Sequence, residues 1–236
     1  MNKDERDQFI HEILRKEHFS FADLCGITAL LRGEGGCPWD REQTHESIRR
    51  CMIEEAYEVV EAIDKRDAEL LCEELGDVLF QVVFHAQLER EEGNFDANNV
   101  IDGICRKMIH RHPHVFGTSA ACDSKDALSQ WEAIKTEEKQ RKTLSSRLRA
   151  IPPILPALLR AQKVHEKLGA SEADQETLGN SIQEQAQKLS EKPTEDRMGE
   201  LLFAIAKLSA GEGFDAEKAL SQRIEQAILD AEALKK

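Results

Sequence analysis

The sequence predicts an all-α protein, and three observations carry that reading. Apolar residues recur at helical spacing in one segment after another along the 236 residues, and no strand-like alternation competes. Runs of β-branched residues are scarce, and aromatic residues make up only 5% of the chain. Glycine and proline fall at intervals that cut the chain into pieces of helix length.

The elements follow in order. Residues 4–16 read as a short amphipathic helix with Phe9, Ile10, Ile13 and Leu14 on one face. Phe21 to Leu31 is a second. The stretch RGEGGCPWDREQT, residues 32–44, reads as a loop from its glycines and proline. Thr44 is placed to cap a helix running to about Asp64. Asp67 to Glu92 is a long helix ended by Gly93, and Asp96 to His112 is another, stopped by Pro113. Ser124 to about Arg147 reads as one charged amphipathic helix. IPPILP at 151–156 is a natural joint between two halves, and four further helical stretches fill 157–236.

Composition excludes several classes. The formal net charge of -13 argues against binding nucleic acid through a broad basic surface. No run of ~18 apolar residues predicts a membrane span, and the charged start MNKDERDQFIHEILRKEH does not resemble a signal peptide. Six cysteines stand singly without a CxxC pair, which fits reduced thiols in a cytoplasmic protein.

The sequence also echoes itself. GDVLFQVV at 76–83 resembles GELLFAIA at 199–206, and EGNFDANNVI at 92–101 resembles GEGFDAEKAL at 211–220. Two matches in the same order predict a two-fold duplication of one helical unit.

The chemistry concentrates in IEEAYEVVEAIDKRDAELLCEELGDVLFQ, residues 53–81. Glu54, Glu55, Glu58 and Glu61 can share one face of the first helix, and Glu74 and Asp77 are one turn apart on the next. Two helices joined by so short a connection are expected to lie antiparallel, which gathers four or five carboxylates. Leu71, Leu75, Val78, Leu79 and Val82 form the opposite stripe of the second helix and read as core. Gly76 costs about 1 kcal/mol against alanine within a helix, and a close helix approach there would account for it. Like charges one turn apart repel, so something must offset them. A hard divalent cation does so, and it makes an acidic pocket receptive to phosphate oxygens.

Two other motifs are read as structural. The run HRHPH with His110, His112 and His114 lacks a zinc spacing, and Pro113 breaks the helix between the ligands. Cys37 in GCPWD is read as a packed residue rather than a nucleophile.

At this point a family resemblance is plain. Glu54-Glu55-x-x-Glu58 followed by Glu74-x-x-Asp77 resembles the EExxE…ExxD signature of the MazG nucleoside triphosphate pyrophosphohydrolases. GCPWDREQTHESI at 36–48, RHPHVFG at 111–117 and WEAIKTEEK at 131–139 resemble the same family, and together these segments cover about residues 25–142. The resemblance implies an all-α pyrophosphohydrolase fold, commonly an intertwined homodimer. It also implies hydrolysis of a nucleoside triphosphate to the monophosphate and pyrophosphate with Mg²⁺, or Mn²⁺ in its place. Carried over by position, Glu55, Glu58, Glu74 and Asp77 would ligate the metal. Glu54, Glu55 and Glu58 would make up the catalytic acids, with Glu54 able to accept the proton of an attacking water. Lys107 and Arg111 match a basic pair that meets phosphates, and Trp131 matches a tryptophan near the nucleotide.

The second half departs from the pattern. EExxE falls on Gln183-Glu184-Gln185-Ala186-Gln187, ExxD falls on Arg197-x-x-Glu200, and the basic pair falls on Gln226 and Asp230. The expectation is a pyrophosphohydrolase domain over residues 1–150 and a degenerate copy over 151–236. Two alternatives stay open: a non-catalytic nucleotide-binding or dimerisation scaffold, and a related all-α pyrophosphatase acting on dUTP or phosphoribosyl-ATP.

Overall fold

A computed structural model describes residues 3–138, 143–169 and 175–234. Every regular element among the described residues is a helix, thirteen in all. The all-α expectation therefore holds. The chain divides into two compact units, Met1–Ala121 and Cys122–Lys236.

The first unit holds α1 (Lys3–Ile13), α2 (Phe21–Arg32), α3 (Pro38–Glu42), α4 (His45–Lys65), α5 (Ala68–Glu91), α6 (Ala97–Arg111) and α7 (Pro113–Phe116). Capping residues set most of the starts. Ser20 and Asp23 form a reciprocal capping box on α2, and Thr44 and Ser47 do the same on α4, as the sequence suggested for Thr44. Asp67 and Asp96 cap α5 and α6 by accepting from backbone amides two and three residues on. Each such cap stabilises its helix by about 1 kcal/mol.

Two expectations change here. The 32–44 loop contains a helical turn, α3, because Pro38 occupies the first helical position, where its missing N–H costs nothing. The first helix ends at Ile13, and Leu14 stands exposed beyond it. Phe9 does pack: its ring lies over Gly26 of α2, where a β-carbon would fall 2.4 Å from the ring edge.

The α4–α5 pair is the frame of this unit. The turn at Arg66 and Asp67 reverses the chain, with Arg66 in the left-handed region at φ 56°. Position along α4 then runs against position along α5. His45 meets His85 and Glu89, Ile48 packs with Phe84 and Leu88, and Glu58 meets Glu74. Phe80 completes the apolar cluster, edge-on to Phe84. Burying each of these side chains contributes about 1.5–3 kcal/mol.

Arg32 ties α2 and the 33–44 segment to that frame. Its guanidinium makes a two-pronged ion pair with Glu91, donates to the carbonyls of Asp40 and Gln43, and lies 5.1 Å from the Phe84 ring centre. A planar five-donor group suits this role, since it serves a carboxylate and two carbonyls at once.

The second unit holds α8 (Ser124–Glu138), α9 (Leu144–Arg149), α10 (Ala157–Lys167), α11 (Gln175–Glu191), α12 (Glu195–Glu212) and α13 (Ala216–Ala233). The single helix expected over 124–147 is two. Thr143 is extended and caps α9 through a box with Ser146, so the backbone leaves the helical path before Leu144. Buried Gln162 of α10 clamps the turn between α12 and α13, donating to Phe214 O and accepting from Ala216 N. His165, also buried, contacts the Phe203 carbonyl and ring.

The echoed sequences adopt matching local structure. α5 and α12 are each followed by a left-handed glycine, Gly93 at φ 78° and Gly213 at φ 73°. An aspartate then caps the next helix in both places, Asp96 for α6 and Asp215 for α13. Glycine is required at both turns because a side chain at that φ is strained.

Candidate metal centre

The α4–α5 pair brings three carboxylates together. One oxygen each from Glu55 and Glu58 on α4 and Glu74 on α5 lies within 4.8 Å of the others. Helix periodicity explains the α4 pair, which sits one turn apart, and the antiparallel partner supplies the third.

The electrostatics of the group are those of crowded anions. Partial burial pushes the Glu55 carboxyl up from its ordinary value. A hydrogen bond with Glu58 and the charges of Asp77, Glu58 and Glu74 push it further. Glu74 is raised too, first by burial and then by Glu58, Glu73, Asp77 and Glu61. Asp77 thus acts on both groups electrostatically but stands outside the three-oxygen cluster.

Two glutamates of the same helix turn elsewhere. Glu54 pairs with Arg50 at 2.7 Å and Glu61 pairs with Lys65 at 2.7 Å, both one turn away on α4. These i,i+4 pairs on exposed surface take the two outer carboxylates out of the cluster.

The expected setting of the cluster needs correction in two places. A β-carbon on Gly76 would meet nothing within 4 Å, so no close helix approach explains that glycine. The α5 stripe opposite the acids is not a finished core: Leu75 is 51% and Leu79 41% exposed. The stripe is apolar, but those two side chains stand exposed among the described residues.

The basic pair is divided between surface and interior. Lys107 is exposed on α6, whereas Arg111 at its last turn is buried at 5% exposure. Trp131 stands on α8 in the second unit, with Lys135 Nζ 4.2 Å from its ring centre. His112 of the HRHPH run contacts the Met108 carbonyl through Nδ1 and tilts against His114.

Two arrangements were not legible in the sequence. His45 and His85 stack with ring nitrogens 2.7 Å apart, and His45 also reaches Glu89 at 2.9 Å. The Arg32 network is the other. Each depends on at least one partner forty or more residues away, His85 for His45 and Glu91 for Arg32, and no local pattern announces them.

In the second unit the matching positions serve a different purpose. Arg197 donates to the carbonyls of Lys188 and Lys192, closing the C-terminal end of α11. Glu184 pairs with Lys188 at 2.6 Å.

Comparison with known proteins agrees with this frame. Residues 43–116, which span α4 to α7, match the MazG nucleotide pyrophosphohydrolase domain. The chain is 44% identical over 207 residues to the nucleoside triphosphate pyrophosphohydrolase/pyrophosphatase MazG of Thermotoga maritima, covering 85% of this chain and 79% of that protein. The chain belongs to the MazG family. It is also 43% identical over 205 residues to the nucleoside triphosphate pyrophosphohydrolase of Escherichia coli K12, covering 82% and 78% of the two chains. The uncharacterized protein YabN of Bacillus subtilis is 48% identical over 149 residues, 63% of this chain and 30% of that one. The three clustered carboxylates all fall within the MazG segment. No described helix is long and apolar enough to cross a membrane.

Proposed function

We propose that this MazG chain is a cytoplasmic, Mg²⁺-dependent nucleoside triphosphate pyrophosphohydrolase that releases pyrophosphate and a nucleoside monophosphate. The observation that carries the reading is the three-carboxylate group of Glu55, Glu58 and Glu74 inside the MazG segment. The names of the Thermotoga maritima and Escherichia coli relatives support the substrate class.

The donor set fits a hard divalent cation. All three ligands are oxygen, two come from one helix and one from its partner, and their mutual repulsion falls when a cation binds. We assign the metal to Glu55, Glu58 and Glu74, with Asp77 as a fourth ligand. Mg²⁺, or Mn²⁺ in its place, supplies charge neutralisation at the triphosphate and a water of lowered pKa. Glu55 and Glu58 hold the charge of the centre in place. Glu54, which pairs with Arg50 outside the three-carboxylate group, is the acid assigned to accept the proton of the attacking water once substrate is bound. Lys107 and Arg111 are assigned to phosphate oxygens. Trp131 is assigned to the nucleotide.

We assign catalysis to residues 1–150 and read 151–236 as a degenerate copy. The use of Arg197 to close α11 favours a scaffold role for that half. A second copy of the chain is the partner we assign to the uncovered apolar faces of α4 and α5, where Ile53, Tyr57, Val60, Ile63, Leu75 and Leu79 stand exposed.

The test is pyrophosphate release from a panel of nucleoside triphosphates, with and without Mg²⁺, in the native chain, Glu58→Gln and Arg197→Glu. Metal-dependent release that Glu58→Gln abolishes and Arg197→Glu leaves intact is expected. No release from any triphosphate by the folded native chain would leave only the scaffold.

A further inference from the structure

The second unit contains a cleft of about 310 Å³ bounded by α8, α9 and α10, which is within the size range of small-molecule sites. Ala150, Ile151 and Pro152 give its lining an apolar part, and the rest of the lining is mostly charged. Four cations line it, Lys135, Arg147, Lys163 and Lys167, against two carboxylates, Glu132 and Glu166. All four cations are partly buried. In a chain with a formal net charge of -13 this is a local reversal of sign.

The cations are not equally satisfied. Glu132 bridges Lys135 at 3.2 Å and Lys167 at 3.3 Å. Lys135 also lies over the Trp131 ring. The side chains of Arg147 and Lys163 make no hydrogen bond or ion pair among the described residues. Gathering like charges in a partly desolvated concavity costs free energy unless an anion offsets it. A guanidinium supplies a fork and the ammoniums supply point charges, the combination that suits phosphate oxygens. Two free cations beside two half-neutralised ones match an anion of charge two or more better than a single carboxylate.

We propose that this cleft is an anion site of the second unit that binds a pyrophosphate group, free or carried on a nucleotide. Arg147 and Lys163 are its principal donors, and Glu132 sets its strength by competing for Lys135 and Lys167. None of its lining residues belongs to the acidic group of Glu55, Glu58 and Glu74, and the site needs no metal.

Isothermal titration of the intact chain with inorganic pyrophosphate in EDTA tests this, because without a divalent cation the acidic group repels the anion. One saturable site is expected, weakening steadily with added salt. Arg147→Ala/Lys163→Ala should weaken it about tenfold or more, Glu132→Gln should tighten it, and Glu58→Gln should leave it unchanged. A misfolded variant cannot give the tighter binding expected of Glu132→Gln. Repeating the titration with adenosine monophosphate and adenosine triphosphate separates the sources: triphosphate alone competing with pyrophosphate points to a nucleotide tail, and neither competing points to the free anion. No saturable binding, equal binding by the helical double variant, or loss of binding in Glu58→Gln would overturn the proposal.

Discussion

The carboxylates of Glu58 and Glu74 stand on different helices, yet their oxygens lie within 4.8 Å of each other and of a Glu55 oxygen. The α4–α5 pairing holds three like charges where they repel, and activity and stability should therefore oppose each other at these positions.

Glu58→Gln removes one of the repelling charges and one ligand. Triphosphate hydrolysis should fall about 100-fold or more, equivalent to about 2.7 kcal/mol of lost transition-state stabilisation. The metal-free melting temperature should rise by about 1–2 °C. Steady-state pyrophosphate release and calorimetry in EDTA check the two signs together. A fall in both would mean that Glu58 is structural.

Divalent binding should depend on pH. Glu55 and Glu74 are raised above the ordinary glutamate value of 4.5, so their protons compete with the metal at pH values above that point. Affinity for Mg²⁺ should weaken as pH falls toward 4.5, and binding should release protons in that window. The stability sign is the reverse. A carboxyl raised in the folded state destabilises it as pH rises through the raised value. Mg²⁺ should therefore stabilise the chain more at pH 7.5 than at pH 5. Titration calorimetry in buffers of different ionisation enthalpy measures the protons released.

Burial lowers the His85 value from 6.5, and His45 lowers it further. The folded state then binds fewer protons at His85 than the unfolded chain, so stability is lost as pH falls below 6.5. Glu89 faces the pair through its 2.9 Å contact with His45. His85→Gln should flatten the slope of stability between pH 7 and 5.5, measured by urea unfolding at fixed salt.

Arg32→Ala should destabilise the first unit by about 2 kcal/mol, because it leaves the Asp40 and Gln43 carbonyls without a donor and exposed Glu91 without its cation. Arg32→Lys should recover less than half, since an ammonium cannot serve a carboxylate and two carbonyls at once. Urea unfolding followed by helical signal reports both.

Much of the site was legible because its parts are local. Glu55 and Glu58 share a face through helix period alone, and Thr44 and Asp67 mark the starts of the two helices that present the acids. The helix boundaries failed where local signals conflicted with capping, as at Thr143, which starts a new helix inside a continuous amphipathic pattern. Gly76 was misread because a glycine beside acids suggests close packing, whereas its surroundings are open.

The sequence by itself determined the helical class, the family, and which carboxylates lie one turn apart, because each follows from spacing along a single chain. Tertiary structure decided which acids join. Helix pairing adds Glu74 to Glu55 and Glu58, while neighbours one turn away draw off Glu54 and Glu61. It also decided that Arg111 is buried while Lys107 stays exposed, and that the cations of α8, α9 and α10 line one cleft. Those outcomes depend on how helices pack across long separations, and residue spacing carries no record of that.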